Sequence, residues 1–126
     1  MKSARHVAAQ RRGRLAETLA AWRLRLAGWR IVARDLRLPA GQVDLVALRG
    51  RTLAFVEVKA RENADDAAES LHPAQCARIE RAAEQYLAGR PQFAAFEVRF
   101  DLVLVAPGSW PRHVKDAWRD SRRRPK

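Results

Sequence analysis

The sequence predicts a single α/β domain built on a mixed β-sheet flanked by helices. Three observations predict it. Apolar residues recur at helical spacing near the start of the chain and again after Pro73, three strand-like runs lie between these segments, and a fourth run follows the second helix. The resulting order, α-β-β-β-α-β, implies local hairpins first and then a crossover through the second helix. A chain of 126 residues has room for one modest core. The domain is expected over residues 1–120, followed by a basic tail, 121–126, too polar to order itself.

The first helix is expected from about Ala4 to Ala27. Leu15, Leu19, Trp22 and Leu26 recur at helical spacing and form one stripe, with Trp22 read as core. A second face carries Gly13, Glu17, Ala20 and Leu24, whose small members allow close approach to a sheet. Gly28 stops the helix. The first strand, Trp29–Leu36, ends at the Leu38-Pro39-Ala40-Gly41 turn, and Trp29 is also assigned to the core. Gln42–Leu48 and Thr52–Arg61 flank Arg49-Gly50-Arg51 and read as a hairpin. An acidic, irregular loop follows at 62–70. Pro73 suits the first turn of a second helix that runs to about Leu87, with Ile79, Ala82, Ala83 and Tyr86 inward and Gly89 at its end. Phe96–Ala106 is the last predicted strand, and Trp110–Arg119 reads as a short closing helix.

The net charge of +11 makes nucleic acid the first partner to consider. Its placement is uneven. Residues 1–16 carry Lys2, Arg5, Arg11, Arg12 and Arg14 with no acid, and residues 112–126 carry seven basic side chains against Asp116 and Asp120. The long middle segment, 17–111, is nearly balanced, with 13 basic and 12 acidic residues. Such ends bind phosphate backbones without reading sequence, or serve only as solvated tails. The lone Cys76 excludes an internal disulfide and suits a reducing compartment. No apolar run is long enough to span a membrane, no secretory signal is present, and a cytoplasmic protein is expected. No feature points to a small-molecule substrate.

Strand alternation gathers the residues able to do chemistry. Gln42, Asp44, Val46 and Leu48 share one face of their strand, while Phe55, Glu57, Lys59 and Arg61 share one face of the next. Asp44 and Glu57 interrupt apolar strands, where an uncompensated carboxylate is costly. Two carboxylates and a lysine offer hard oxygen ligands for Mg2+ and a cation to orient water or balance a phosphate. Lys59 is the only lysine between residues 17 and 111, in a chain with 21 arginines. The Asp44–Glu57–Lys59 spacing alone serves a cross-strand salt bridge equally well. Periodicity leaves Glu17 facing either the sheet or solvent, and favours solvent. His6, His72 and His113 are too scattered for a metal site or a triad and read as surface or capping residues. Cys76 reads as an inert thiol. Arg99 and Asp101 read as an ion pair behind the site or as a plain polar face, and Trp110 and Trp118 as sheet-packing residues rather than base-stacking ones.

A longer ordered string narrows the reading. Gly13-x-x-x-Glu17, Gly41-Gln42-Val43-Asp44, Phe55-Val56-Glu57-Val58-Lys59-x-Arg61 and Arg99-Phe100-Asp101 occur in this order. Together they resemble the YraN family of small bacterial proteins over roughly residues 10–106. That family is similar to Holliday-junction resolvases of the PD-(D/E)xK superfamily, so the resemblance implies a restriction-endonuclease-like fold and a nuclease of structured or branched DNA. It also implies Mg2+ or Mn2+ held by Asp44, Glu57 and the Val58 carbonyl, with Lys59 as catalytic lysine and Glu17 as a nearby acid. A homodimer would suit a resolvase. DNA contacts are expected from Arg11, Arg12, Arg14, Arg61, Gln75, Arg122, Arg123 and Arg124. Gln42 stands where the family usually has Glu, and Gln75 about where it has Lys. These amides make a silent nucleic-acid-binding module the alternative expectation, with an RNA- or ribosome-associated interaction protein as another.

Overall fold

Two tight turns set the first half of the sheet. The computed structural model describes residues 4–63 and 71–119, with residues 4–12 described by their backbone alone. Within it, α1 (Ala4–Leu26) leads into β1 (Arg30–Leu38), β2 (Gly41–Arg49) and β3 (Thr52–Ala60). Gly50, at φ 58, supplies the left-handed residue in the β2–β3 turn. Then come α2 (Pro73–Ala88), a 3-10 turn at Pro91–Phe93, β4 (Glu97–Val105) and β5 (Arg112–Trp118). The strands form one five-stranded sheet in the order β1-β2-β3-β4-β5. β3 and β4 are parallel because α2 carries the chain across the sheet, and every other neighbouring pair is antiparallel.

The helices cover opposite faces. Ile79, Ala82, Ala83 and Tyr86 of α2 pack on Val43, Val46, Leu53, Phe55 and Phe100, as their spacing predicted. Gly41 sits beneath this helix, where a Cβ would come within 2.6 Å of the Arg78 carbonyl oxygen, so only glycine permits the approach. On the other face, Ala20, Ala21 and Leu24 of α1 pack on Leu45, Ala47, Ala54, Val56 and Val103, with Trp29 in the same cluster. Gly28, at φ 93, ends α1, and the Trp29 N–H returns to the Leu24 carbonyl. Fully burying each Leu, Val or Phe of these clusters contributes about 1.5–3 kcal/mol.

Three expectations fail here. Trp22 is not core: it is exposed together with Leu15, Leu19 and Leu26, while the small-residue face packs on the sheet as expected. Alanines let the helix axis lie close to the sheet, which larger side chains would prevent. Trp110–Arg119 is not a helix: Arg112–Trp118 forms edge strand β5. A register irregularity against β4 and a positive φ of 52 at Asp116 break its alternation, so the apolar residues fall at helix-like intervals. Trp118 stacks on Phe100 at 5.4 Å between ring centroids, whereas Trp110 is exposed. Among the described residues, no helix is long and apolar enough to cross a membrane. The expected acidic loop lies largely, and the basic tail wholly, outside the described residues.

Candidate functional site

The site begins where β2 and β3 part. Their ladder runs from Arg49–Thr52 to Leu45–Val56 and stops, so the next residues, Asp44 and Glu57, do not pair through their backbones. Instead the Val58 N–H donates to Asp44 Oδ2 at 2.8 Å, the carboxylate serving as acceptor in place of a strand carbonyl. Across from Asp44 on β1, Asp35 has φ 47. Val43 and Val46 both pack toward α2, so the alternation expected through Gln42, Asp44, Val46 and Leu48 breaks at Asp44.

Glu57 lies on the α2 side and is buried. Its Oε1 accepts from Gln75 Nε2 at 3.0 Å and lies 3.4 Å from Lys59 Nζ. Burial, and then the charge of neighbouring Asp44, push the Glu57 carboxyl up to about 7, although Lys59 opposes the shift. Burial also raises Asp44, against the pull of the Val58 N–H, of Glu57 and of Lys59. Two acids therefore share a half-dry site with one ammonium. Among the described residues no group of three His, Cys, Asp or Glu side chains is placed to hold a metal. The carboxylate pair offers hard oxygens, a donor set that fits a cation retaining several waters.

Asp44 lines two open troughs. The first, of about 700 Å³, is bounded on α1 by Arg14, Glu17 and Thr18 and on β1 by Arg34 and Arg37. Glu17 turns inward rather than to solvent: it pairs with Arg34 at 3.7 Å, and burial followed by the charge of Asp44 raises its pKa. The second, of about 450 Å³, brings Glu57, Gln75 and Arg78 together with Gln42 and Arg37. Gln42 donates to Asp35 at 2.8 Å. Arg61 donates to the Ala60 carbonyl at the end of β3. The side chains of Arg11 and Arg12, and all of Arg122, Arg123 and Arg124, lie outside the described residues. Arg34, Arg37 and Arg78 were not foreseen as trough residues. Arg34 alternates with the partly buried Ile31 and Leu36 only loosely, and a single strand gives no clue that it faces Glu17. A further cavity of about 390 Å³, between α2, β4 and β5, shares no lining residue with either trough.

Asp101, fully buried, has a different setting. Arg99 clamps Asp101 with bonds of 2.9 and 2.8 Å, His113 Nε2 lies 2.7 Å from its Oδ2, and the Asp116 N–H donates at 2.9 Å. The His113 side chain is thus buried and paired, not a surface or capping group. Burial alone would raise Asp101, but His113, Arg99 and the Asp116 N–H outweigh it and hold the carboxyl at about 2. Cys76 has its thiol pKa raised by burial and by Glu80 and Glu57, in keeping with an inert role.

Residues 16–105 match the profile of the uncharacterised protein family UPF0102. The chain belongs to that family. A UPF0102 protein of Parvibaculum lavamentivorans is 58% identical over 113 residues, covering 90% of this chain and 85% of its own. One from Paramagnetospirillum magneticum is 58% identical over 118 residues, covering 90% and 92% respectively. A Rhodopseudomonas palustris UPF0102 protein is 48% identical over 112 residues, covering 89% and 86%. The profile takes in Glu17, Asp44, Glu57, Lys59 and Asp101 but neither charged end.

Proposed function

We propose that this UPF0102 chain is a metal-dependent nuclease of the PD-(D/E)xK type that acts on structured or branched DNA. One observation carries the reading: Asp44 and Glu57 are held together in a partly buried site with a single lysine, an arrangement short of positive charge. Mg2+ or Mn2+ held by these two carboxylates and the Val58 carbonyl would supply the missing charge and lower the pKa of a bound water. Asp44 is fixed by the Val58 N–H, and Glu57 by Gln75, so neither carboxylate must reorganise as a ligand arrives. Lys59 sits on the strand face of Glu57, where its ammonium orients the attacking water or balances the phosphate. Arg14, Arg34, Arg37 and Arg78 edge the troughs that meet at Asp44 and offer cations to the phosphate backbone.

The test is a cleavage panel on four-way junction, flap, single-stranded and duplex DNA, with an RNA arm, in Mg2+ or Mn2+. Metal-dependent cleavage of a branched substrate, reduced at least ~100-fold by Lys59→Ala, is expected. No cleavage of any substrate by protein free of contaminating nucleases overturns it, and undiminished cleavage by Lys59→Ala overturns the site assignment. A second reading, a silent binding module, is favoured by the lack of a third metal-ligating side chain among the described residues and by Gln42 engaging Asp35. It expects salt-dependent binding without metal and without cutting, weakened by removal of residues 121–126 and by Arg14→Ala. Sedimentation velocity tests the accompanying proposal of a homodimer.

A further inference from the structure

The outer face of α1 has no role in the core or in the troughs. Leu15, Leu19, Trp22 and Leu26 lie along it, 59, 40, 56 and 68% exposed, and Trp110, 64% exposed, lies beneath the Arg23 guanidinium. The four α1 side chains alone present roughly 400 Å² of apolar surface, a size at which the patches of soluble monomers are often functional. The helix commits its other faces elsewhere: Ala16, Ala20 and Leu24 to the sheet, and Gly13, Arg14, Glu17 and Thr18 to the first trough.

The spacing is that of a coiled-coil stripe. Leu15, Leu19, Trp22 and Leu26 are separated by 4, 3 and 4 residues, the alternation of d and a positions, and form a band narrower than a globular-core or membrane-surface helix presents. The flanking e and g positions are then Ala16 and Arg23, and Thr18 and Arg25, with no acid among them. Arg25 lies over the Trp22 ring at 5.4 Å, and Arg23 over the Trp110 ring at 5.7 Å, so the cations border the apolar surface directly.

We propose that this face docks a helix of a partner protein, one with apolar residues at heptad spacing and carboxylates beside them. Charge selects that occupant. α1 carries six arginines and one glutamate, so a second copy would set two basic helices together with no acid on the flanks to pair. The chain's two ends are basic as well, and its acidic run at 62–70 contains no large apolar side chain to fill the band. A complementary helix would satisfy both features at once, apolar against apolar and carboxylates against Arg23 and Arg25.

The experiment uses the full chain and two labelled synthetic peptides of several heptads, both with Leu at a and d. One has Glu at e and g, the other Lys. Fluorescence anisotropy is expected to show binding of the acidic peptide that weakens with salt, and at least ~10-fold weaker binding of the basic one. Leu19→Glu and Leu26→Glu should each weaken it at least ~10-fold while leaving the unfolding midpoint close to wild type, and Arg25→Glu should weaken it less. The proposal is overturned if the acidic peptide does not bind, binds no better than the basic one, or binds these variants equally. It is also overturned if the wild-type chain sediments as a dimer that Leu19→Glu dissociates. Binding to vesicles of anionic lipid that Leu19→Glu abolishes would assign the face to a membrane instead.

Discussion

Asp101 and Glu57 are buried acids on one sheet, with Asp44 half-buried beside Glu57, yet their surroundings treat charge in opposite ways. Asp101 has a bidentate arginine, a histidine and a backbone N–H, and its carboxyl is held at about 2. Asp44 and Glu57 have each other, one lysine, one amide side chain and one backbone N–H, and both are raised. The sheet can satisfy a buried carboxylate completely, and around Asp101 it does. At the β2–β3 split it leaves charge unbalanced, which is where a ligand gains most by binding.

The sharpest way to break this contrast is to remove each acid in turn. Asp101→Ala leaves Arg99 and His113 without their common acceptor and should cost about 3–5 kcal/mol in urea-induced unfolding. A loss below 1 kcal/mol would mean that Asp101 is not an anchor. Lowering pH probes the same group. Its folded pKa is depressed, so its stabilisation is complete above the ordinary value of 3.8 and is lost as pH falls toward about 2, on the order of 2 kcal/mol in that window. Asp101→Asn should flatten that part of the stability–pH curve.

Glu57→Gln should act in the other direction. Glu57 is raised above its ordinary 4.5, so its stabilisation is complete below that value and lost as pH rises to about 7. At pH 8 and without divalent metal, the neutral variant should be more stable than wild type by about 3 kcal/mol, and at pH 4 the two should agree. Destabilisation at pH 8 would show the site to be self-sufficient. Mn2+ or Mg2+ at about ten times its Kd should stabilise wild type by about 1.4 kcal/mol, and Asp44→Asn and Glu57→Gln far less. The smallest effect is expected from Arg14→Ala, which should lower the salt dependence of DNA binding by about one phosphate contact.

Much of this was legible because it depends on near neighbours. Gly28 and Gly50 mark chain reversals that only a left-handed residue makes easily, and the inward face of α2 follows from helical spacing alone. Glu57 and Lys59 share a face by strand alternation, and the contact between them follows. The approach of the small-residue face of α1 to the sheet is local as well, since alanine size alone permits it. What sequence does not show depends on partners far along the chain: helical spacing cannot tell that Trp22 lies on the uncovered face. β5 hides its strand character in an irregularity tied to Asp101, fifteen positions from Asp116. Arg34 and Arg78 reach the site only because β1 and α2 close around β2.

The bond between Asp44 Oδ2 and the Val58 N–H makes one amide a resident reporter. In a nitrogen–proton spectrum the Val58 resonance should move when Asp44 takes up a proton or engages a cation, because the acceptor's charge sets the shielding of that hydrogen. The Asp116 amide, bonded to Asp101, is a second signal of the same kind on a carboxylate that stays ionised across the same range. Two peaks in one spectrum would then follow the site and its internal reference through a single titration.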